Sequence, residues 1–163
     1  MSSGSLAASS AAKLPTRTRI AYGIGATAES SISAAFNAFN FLFYNNVLGL
    51  SGTLCGLAVT IALVFDAISD PLVGSISDRW KSRLGRRHPF LYAAPIPMAL
   101  CFFGIYSPPA GWDGIPLFLW FTILTILLRT AQTLYQVPHL ALGAEMTSDY
   151  RERSVLMSYN TVF

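Results

Sequence analysis

Apolar residues in this chain run in long blocks rather than in stripes, and that property decides which folds are open to it. Four blocks, near 20–48, 53–77, 89–107 and 116–143, are long enough to cross about 30 Å of hydrocarbon at about 1.5 Å per residue. A fifth begins near Ser154 and reaches Phe163. Blocks of this length predict membrane-spanning helices, and so an all-α membrane protein of four spans plus the start of a fifth. Composition excludes the soluble alternative. Of 163 residues 53% are hydrophobic and 12% are charged, where an ordinary soluble domain carries about 25% charged residues. That leaves too little polar surface to solvate a globule, and the mean hydropathy is +0.48.

Charge in the connections orients the spans. Of eleven Lys and Arg, three (Lys13, Arg17, Arg19) precede the first block, five (Arg79, Lys81, Arg83, Arg86, Arg87) follow the second, and two (Arg151, Arg153) follow the fourth. The Gly49–Gly52 turn and the Ser107–Gly114 loop carry none. This is a positive-inside pattern, so the N-terminus is expected in the cytoplasm of a multi-pass inner-membrane protein. Residues 1–19 are rich in Ser and Ala, lack an apolar core with a cleavage site, and read as a disordered cytoplasmic tail ahead of a partial bundle over 20–163. Cys55 and Cys101 fall at different depths, which argues against a disulfide; both read as small apolar residues and no metal site is expected. Because the last block stops without a closing loop, the chain is expected to be part of a longer one.

Ionisable residues inside the blocks are the least ordinary feature. Each costs on the order of 3 kcal/mol or more at the bilayer centre, yet Glu29, Asp66, Asp70 and Arg129 are all there. Counting along the helices puts Asp66 and Asp70 about 18 and 12 Å from the cytoplasmic end at Asp78, Glu29 about 14 Å from Ile20, and Arg129 about 20 Å from Pro116. The four therefore converge on one central slab, where a carrier holds its ligands. Asp66 and Asp70 are four apart, one turn along one helix face. Two anions so placed in a low dielectric need a cation between them or a shared proton, and Na+ and H+ answer equally well. Pairing with Arg129 is the structural alternative for the two aspartates, and for Glu29 as well.

Polar stripes accompany the charges. In the first span Glu29, Ser33, Asn37, Asn40 and Tyr44 recur at helical spacing; in the fourth Arg129, Gln132, Thr133, Gln136 and His139 do the same. Facing each other across a water-filled cavity, such stripes suit a polyol better than an apolar ligand, although Asn and Ser in spans also serve as packing contacts between helices. His139, beside Pro138, reads as a helix-end residue near the cytoplasm. After span two comes Gly74-Ser-Ile-Ser-Asp78-Arg79-Trp-Lys-Ser-Arg83. Gly74 would let a neighbouring backbone approach closely, and Asp78 beside clustered arginines can form salt bridges that differ between two states.

The G-x-x-x-D-R-x-x-x-R run resembles the loop motif between helices two and three of the major facilitator superfamily. Asp66-Ala-Ile-Ser-Asp70-Pro71-Leu-Val-Gly74 resembles, more specifically, the D-A-x-x-D-P-x-x-G segment of the glycoside–pentoside–hexuronide:cation symporters, the melibiose-carrier-like branch. Tyr22-Gly-Ile-Gly-Ala26, Val137-Pro138 and Asp149-Tyr-Arg151-Glu152-Arg153 fit the same order. The resemblance implies a carrier of two six-helix bundles working by alternating access, of which this chain supplies part of the first. It implies Asp66 and Asp70 as coupling-cation ligands, Thr133 as a further contributor, and Gly74, Asp78, Arg79 and Arg83 as an inner gate latch.

Sugar-specific members hold hydroxyls with an aspartate in helix one and another in helix four. Those positions here read Ser30, beside Glu29, and Gln136, so a galactoside specificity does not carry over. The candidate solute-binding set is Glu29, Ser30, Asn37, Asn40, Arg129, Gln132 and Gln136, with Arg129 suited to a carboxylated solute. The expected activity is symport of a sugar, glycoside or uronide with Na+ or H+, without enzyme chemistry, cofactor or nucleic acid. The expected partners are a small solute, the lipid bilayer and the C-terminal bundle of the same full-length chain. Lysolipid carriers share the D-x-x-x-D-P pattern, which keeps a non-sugar cargo as the alternative within the fold; a non-transporting membrane sensor is the alternative outside it.

Overall fold

The computed structural model describes residues 15–80, 88–145, 154–155 and 158. The loop with Arg83, residues 149–153 and most of the expected fifth span lie outside the described residues. Helix α1 runs Thr16–Leu42 and continues through a π-helical turn, Phe43–Val47. It starts four residues before the expected span because Pro15 sets its first turn, accepting from the Thr18 N–H at 2.9 Å. Gly49 (φ +72°) turns the chain, and Ser51 caps α2, Gly52–Arg79, by accepting from the Leu54 N–H at 3.3 Å.

The third block is not one continuous helix. Helix α3, His88–Ala93, gives way at Ala94 to α4, Pro95–Ile105, because Pro95 lacks the N–H that a continuous ladder needs. Gly111 and Gly114, both with positive φ, shape the loop that leads into α5, Gly114–Glu145. Prolines do not end α2 or α5: Pro71 and Pro138 lie inside them, as apolar surroundings permit when neighbouring helices hold the backbone. By length and composition Gly52–Arg79 and Gly114–Gly143 can each cross a membrane, and Pro89–Ile105, interrupted at Ala94, is a shorter apolar stretch. The polar stripe along α1 lowers its hydropathy.

The interior lies where α1, α2, α4 and α5 meet. Tyr44 is fully buried, stacks on Phe121 at 4.0 Å between ring centroids, and donates to the Ile105 carbonyl at 2.7 Å. One side chain thus joins the π turn to α4 and α5. Cys55 and Cys101 are buried free thiols of the same cluster. Hydroxyls at Thr60, Thr122 and Thr130 donate to the carbonyls four residues back, at 2.8, 2.7 and 2.8 Å, so they need no water. Outward faces are apolar: Leu63, Val64, Ile68 and Leu72 on α2, and Leu100 and Phe103 on α4, are half or more exposed. A water-soluble monomer rarely shows so much contiguous apolar surface; a bilayer or further helices of a bundle cover it.

Helices α2 and α5 form the most extensive contact. They run in the same direction, with Asp66 meeting Arg129, Asp70 meeting Thr133, and a Cβ at position 74 falling 3.8 Å from Val137, each at an offset of 63 residues. The last distance corrects the expectation for Gly74, since a methyl there makes ordinary contact. The close approaches are elsewhere. A Cβ on Gly25 would lie 3.1 Å from both Tyr135 Oη and His139 Cε1, and one on Gly143 would collide with the buried Tyr22 ring. Gly25→Ala and Gly143→Ala are therefore expected to cost about 1–3 kcal/mol by overpacking, read as a lower melting temperature of the detergent-purified protein. Gly74→Ala is expected to stay within about 0.5 kcal/mol of the parent.

Candidate functional site

Two helix pairs build the site, and α5 belongs to both. Between α2 and α5 the four-residue spacing of Asp66 and Asp70 meets the four-residue spacing of Arg129 and Thr133. The result is a ladder of two polar rungs one turn, about 6 Å, apart. On one rung the Arg129 Nε–H pairs with Asp66 Oδ2 in a partly buried salt bridge. On the other the Thr133 hydroxyl donates to Asp70 Oδ1 at 2.8 Å. Thr133 is buried while Asp70 is exposed. The two carboxylates are thus unequal: one has a full counter-charge, the other only a hydroxyl.

Arg129 therefore pairs with Asp66 and not with Glu29. Glu29 accepts from the Ser33 hydroxyl at 3.1 Å, and Ser33 in turn accepts from Gln132 Nε2 at 2.9 Å. That chain places the stripes of α1 and α5 in direct contact at Ser33 and Gln132, where a water-filled gap was expected. A small pocket of about 120 Å³ opens one turn further along, lined by Glu29, Ser30, Tyr135, Gln136 and His139 among others. A second cavity, of about 260 Å³, reaches Glu29 from the α4 side past Ile32, Met98 and Tyr135. Glu29 stands between the two.

The rest of the expected set is dispersed. Asn37 is exposed, whereas Asn40 is 5% exposed with its Oδ1 buried and unbonded. Tyr44, the last member of the stripe, belongs to the core. Asp78 and Arg79 close α2 on its exposed end with Gly74 one turn earlier, and Arg83 lies outside the described residues.

His139 corrects the sequence expectation most clearly. It is 6% exposed and six residues from the end of α5. Its ring stacks between Tyr22, at 4.3 Å, and Tyr135, at 5.4 Å, and its Nε2 is buried without a hydrogen-bond partner. Tyr22 also donates to the His139 carbonyl at 3.2 Å, and Tyr135 donates to the Gly25 carbonyl. The two tyrosines, of which the sequence reading named Tyr22 only as part of a motif and Tyr135 not at all, clamp α1 onto α5. Their signal was present: Tyr135 and His139 are one turn apart, and Tyr22 precedes the glycine that lets the helices meet.

Comparison with known proteins finds relatives along most of the chain. An uncharacterized symporter of Synechocystis is 34% identical over 160 residues, covering 94% of this chain and 29% of its own length. A provisionally named glycoside/cation symporter of Escherichia coli is 33% identical over 148 residues, 90% of this chain and 32% of its own. The sodium-dependent lysophosphatidylcholine symporter 1-A of Danio rerio is 28% identical over 143 residues, 86% of this chain and 26% of its own. The chain spans about a third or less of the length of these relatives. The family model for MFS/sugar transport proteins matches residues 21–163. Long apolar helices, two aspartates each paired across α2 and α5, and these matches lead to one conclusion: the chain belongs to the MFS/sugar transport protein family of the major facilitator superfamily, and is part of an all-α protein that passes the membrane several times.

Proposed function

We propose that the complete carrier moves a sugar, glycoside or uronide together with Na+ or H+ by alternating access, its N-terminus cytoplasmic. Asp66, Asp70 and Thr133 form the coupling-cation site. The observation that carries this reading is the α2–α5 ladder: two carboxylates one turn apart, kept at mid-span against a cost of about 3 kcal/mol each, with α5 supplying a partner to both. A cation at Asp70 cancels charge that would otherwise oppose closing the site against a second bundle.

Solute contacts come from the α1–α5 pocket, with Glu29, Ser30 and Gln136 offering carboxylate, hydroxyl and amide to hydroxyl groups. Gln132 and Thr133 adjoin in sequence on α5, so movement of that helix changes pocket and ladder together. That shared element is the proposed basis of coupling. Gly74, Asp78, Arg79 and Arg83 form the inner latch. No catalytic step is involved.

A second reading, a lysolipid cargo, draws on an open apolar groove of about 640 Å³ between Phe39, Phe43, Val47, Phe102 and Tyr106. The polar lining of the Glu29 pocket favours the sugar. Uptake by the full-length carrier in proteoliposomes, with sodium and proton gradients imposed in turn over glycosides, uronides and lysophosphatidylcholine, decides between them. The expected result is cation-driven accumulation of a hydroxylated solute, abolished by Asp66→Asn combined with Asp70→Asn; transport and cation dependence unchanged in that variant would refute the mechanism. Thr133→Val removes the hydroxyl oxygen that the proposed site offers a cation beside Asp70. The concentration of cation giving half-maximal uptake is expected to rise about tenfold or more, while Thr133→Ser stays within about threefold.

A further inference from the structure

We propose that Arg129 is a tethered counter-ion of the cation site: it closes the Asp66 rung and leaves Asp70, with Thr133, to hold a single mobile cation. The proposal rests on the cation-coupled reading above and deepens it by assigning the number and place of the ions. It also moves Arg129 from the solute-binding set to the ion site, and makes Asp66 the partner of that fixed charge rather than a ligand of the mobile cation.

The argument is one of charge at mid-span. Two aspartates facing α5 carry two negative charges, and the uncompensated form of each is disfavoured in a low-dielectric slab. Without a basic residue, two monovalent cations, or one and a proton, would be needed to neutralise them. Arg129 supplies one of those charges covalently. Its Nε–H is already on Asp66 Oδ2. Both partners are shielded, at 25% side-chain exposure for Arg129 and 17% for Asp66. A mobile ion therefore gains little there, since it would have to break an ion pair and leave the guanidinium unpaired.

Asp70 differs on each count. It has a neutral donor, Thr133, at 2.8 Å, and it is exposed. A hydroxyl that donates to one carboxylate oxygen keeps lone pairs, so Asp70 and Thr133 together offer oxygen ligands to a small hard cation. The constant 63-residue offset keeps the two rungs a turn apart, so Arg129 settles the charge of the Asp66 rung without filling the Asp70 rung.

The test counts cations. Purified full-length carrier is titrated with 22Na+ at pH 8, and protons taken up between pH 8 and pH 5 are counted in parallel. Both are referred to the Asp66→Asn/Asp70→Asn variant, so that Glu29 and His139 cancel. The parent is expected to load one cation, Asp70→Asn none, Arg129→Gln two, and Arg129→Lys one. Asp66→Asn/Arg129→Gln, which deletes the closed rung as a neutral unit, is expected to load one. That double variant decides the matter even where Arg129→Gln fails to fold. Loss of the cation in the double variant, or a single cation in Arg129→Gln, overturns the tethered counter-ion while leaving cation coupling intact. A parent that loads no cation overturns the coupled reading itself, and this proposal with it.

Discussion

The salt bridge between Arg129 and Asp66 is the interaction on which the rest of this arrangement depends. An isolated carboxylate or guanidinium at mid-span is costly, and either is tolerated when it faces a partner inside the protein. Pairing them brings α2 and α5 side by side, and the helices run in the same direction at one register. That register then brings Thr133 to Asp70 and Val137 to the flat side of Gly74 without further adjustment. Shifting it by one residue would rotate the partners off the shared face and leave both charges unpaired.

Helix α1 is fitted to this pair by different means. It carries a stripe of small and polar residues, and Gly25 and Gly143 make room for Tyr135, His139 and Tyr22 where it meets α5. Aromatic stacking at His139 and the Ser33–Gln132 hydrogen bond hold it there. The polar pocket at Glu29 results from that clamp, and it is separate from the α2–α5 ladder. Because α5 carries Thr133 on the ladder and Gln136 on the pocket, a rotation or tilt of one helix reaches both.

Much of this was legible in the sequence because it depends on spacing along one helix. The i, i+4 relation of Asp66 and Asp70 places them on one face, and hydropathy with loop charge identifies the spans. What was not legible depends on relations between helices. Spacing along α5 puts Arg129 on a polar face but does not say whether Asp66 or Glu29 meets it; the register decides, and it is a tertiary property. His139 lies one turn before the end of the expected fourth span and so read as a helix-end residue, whereas α5 runs on to Glu145 and the ring is buried against Tyr22 and Tyr135. Gly74 carried a motif's promise of close packing that the neighbouring Val137 does not require, and the third block was broken by Pro95 at Ala94.

The parallel register of α2 and α5 is the central claim, and cross-linking tests it most directly. With Cys55 and Cys101 replaced by alanine in the full-length carrier, cysteines are placed at position 74 and, in turn, at 133, 137 or 141. Mild oxidation is expected to join 74 to 137, where a Cβ at 74 lies 3.8 Å from the present Val137 side chain, and to leave the other two pairs open. A disulfide from 74 to 133 or 141 in place of 137 would contradict the register, and with it the pairing of Asp66 with Arg129 and of Asp70 with Thr133.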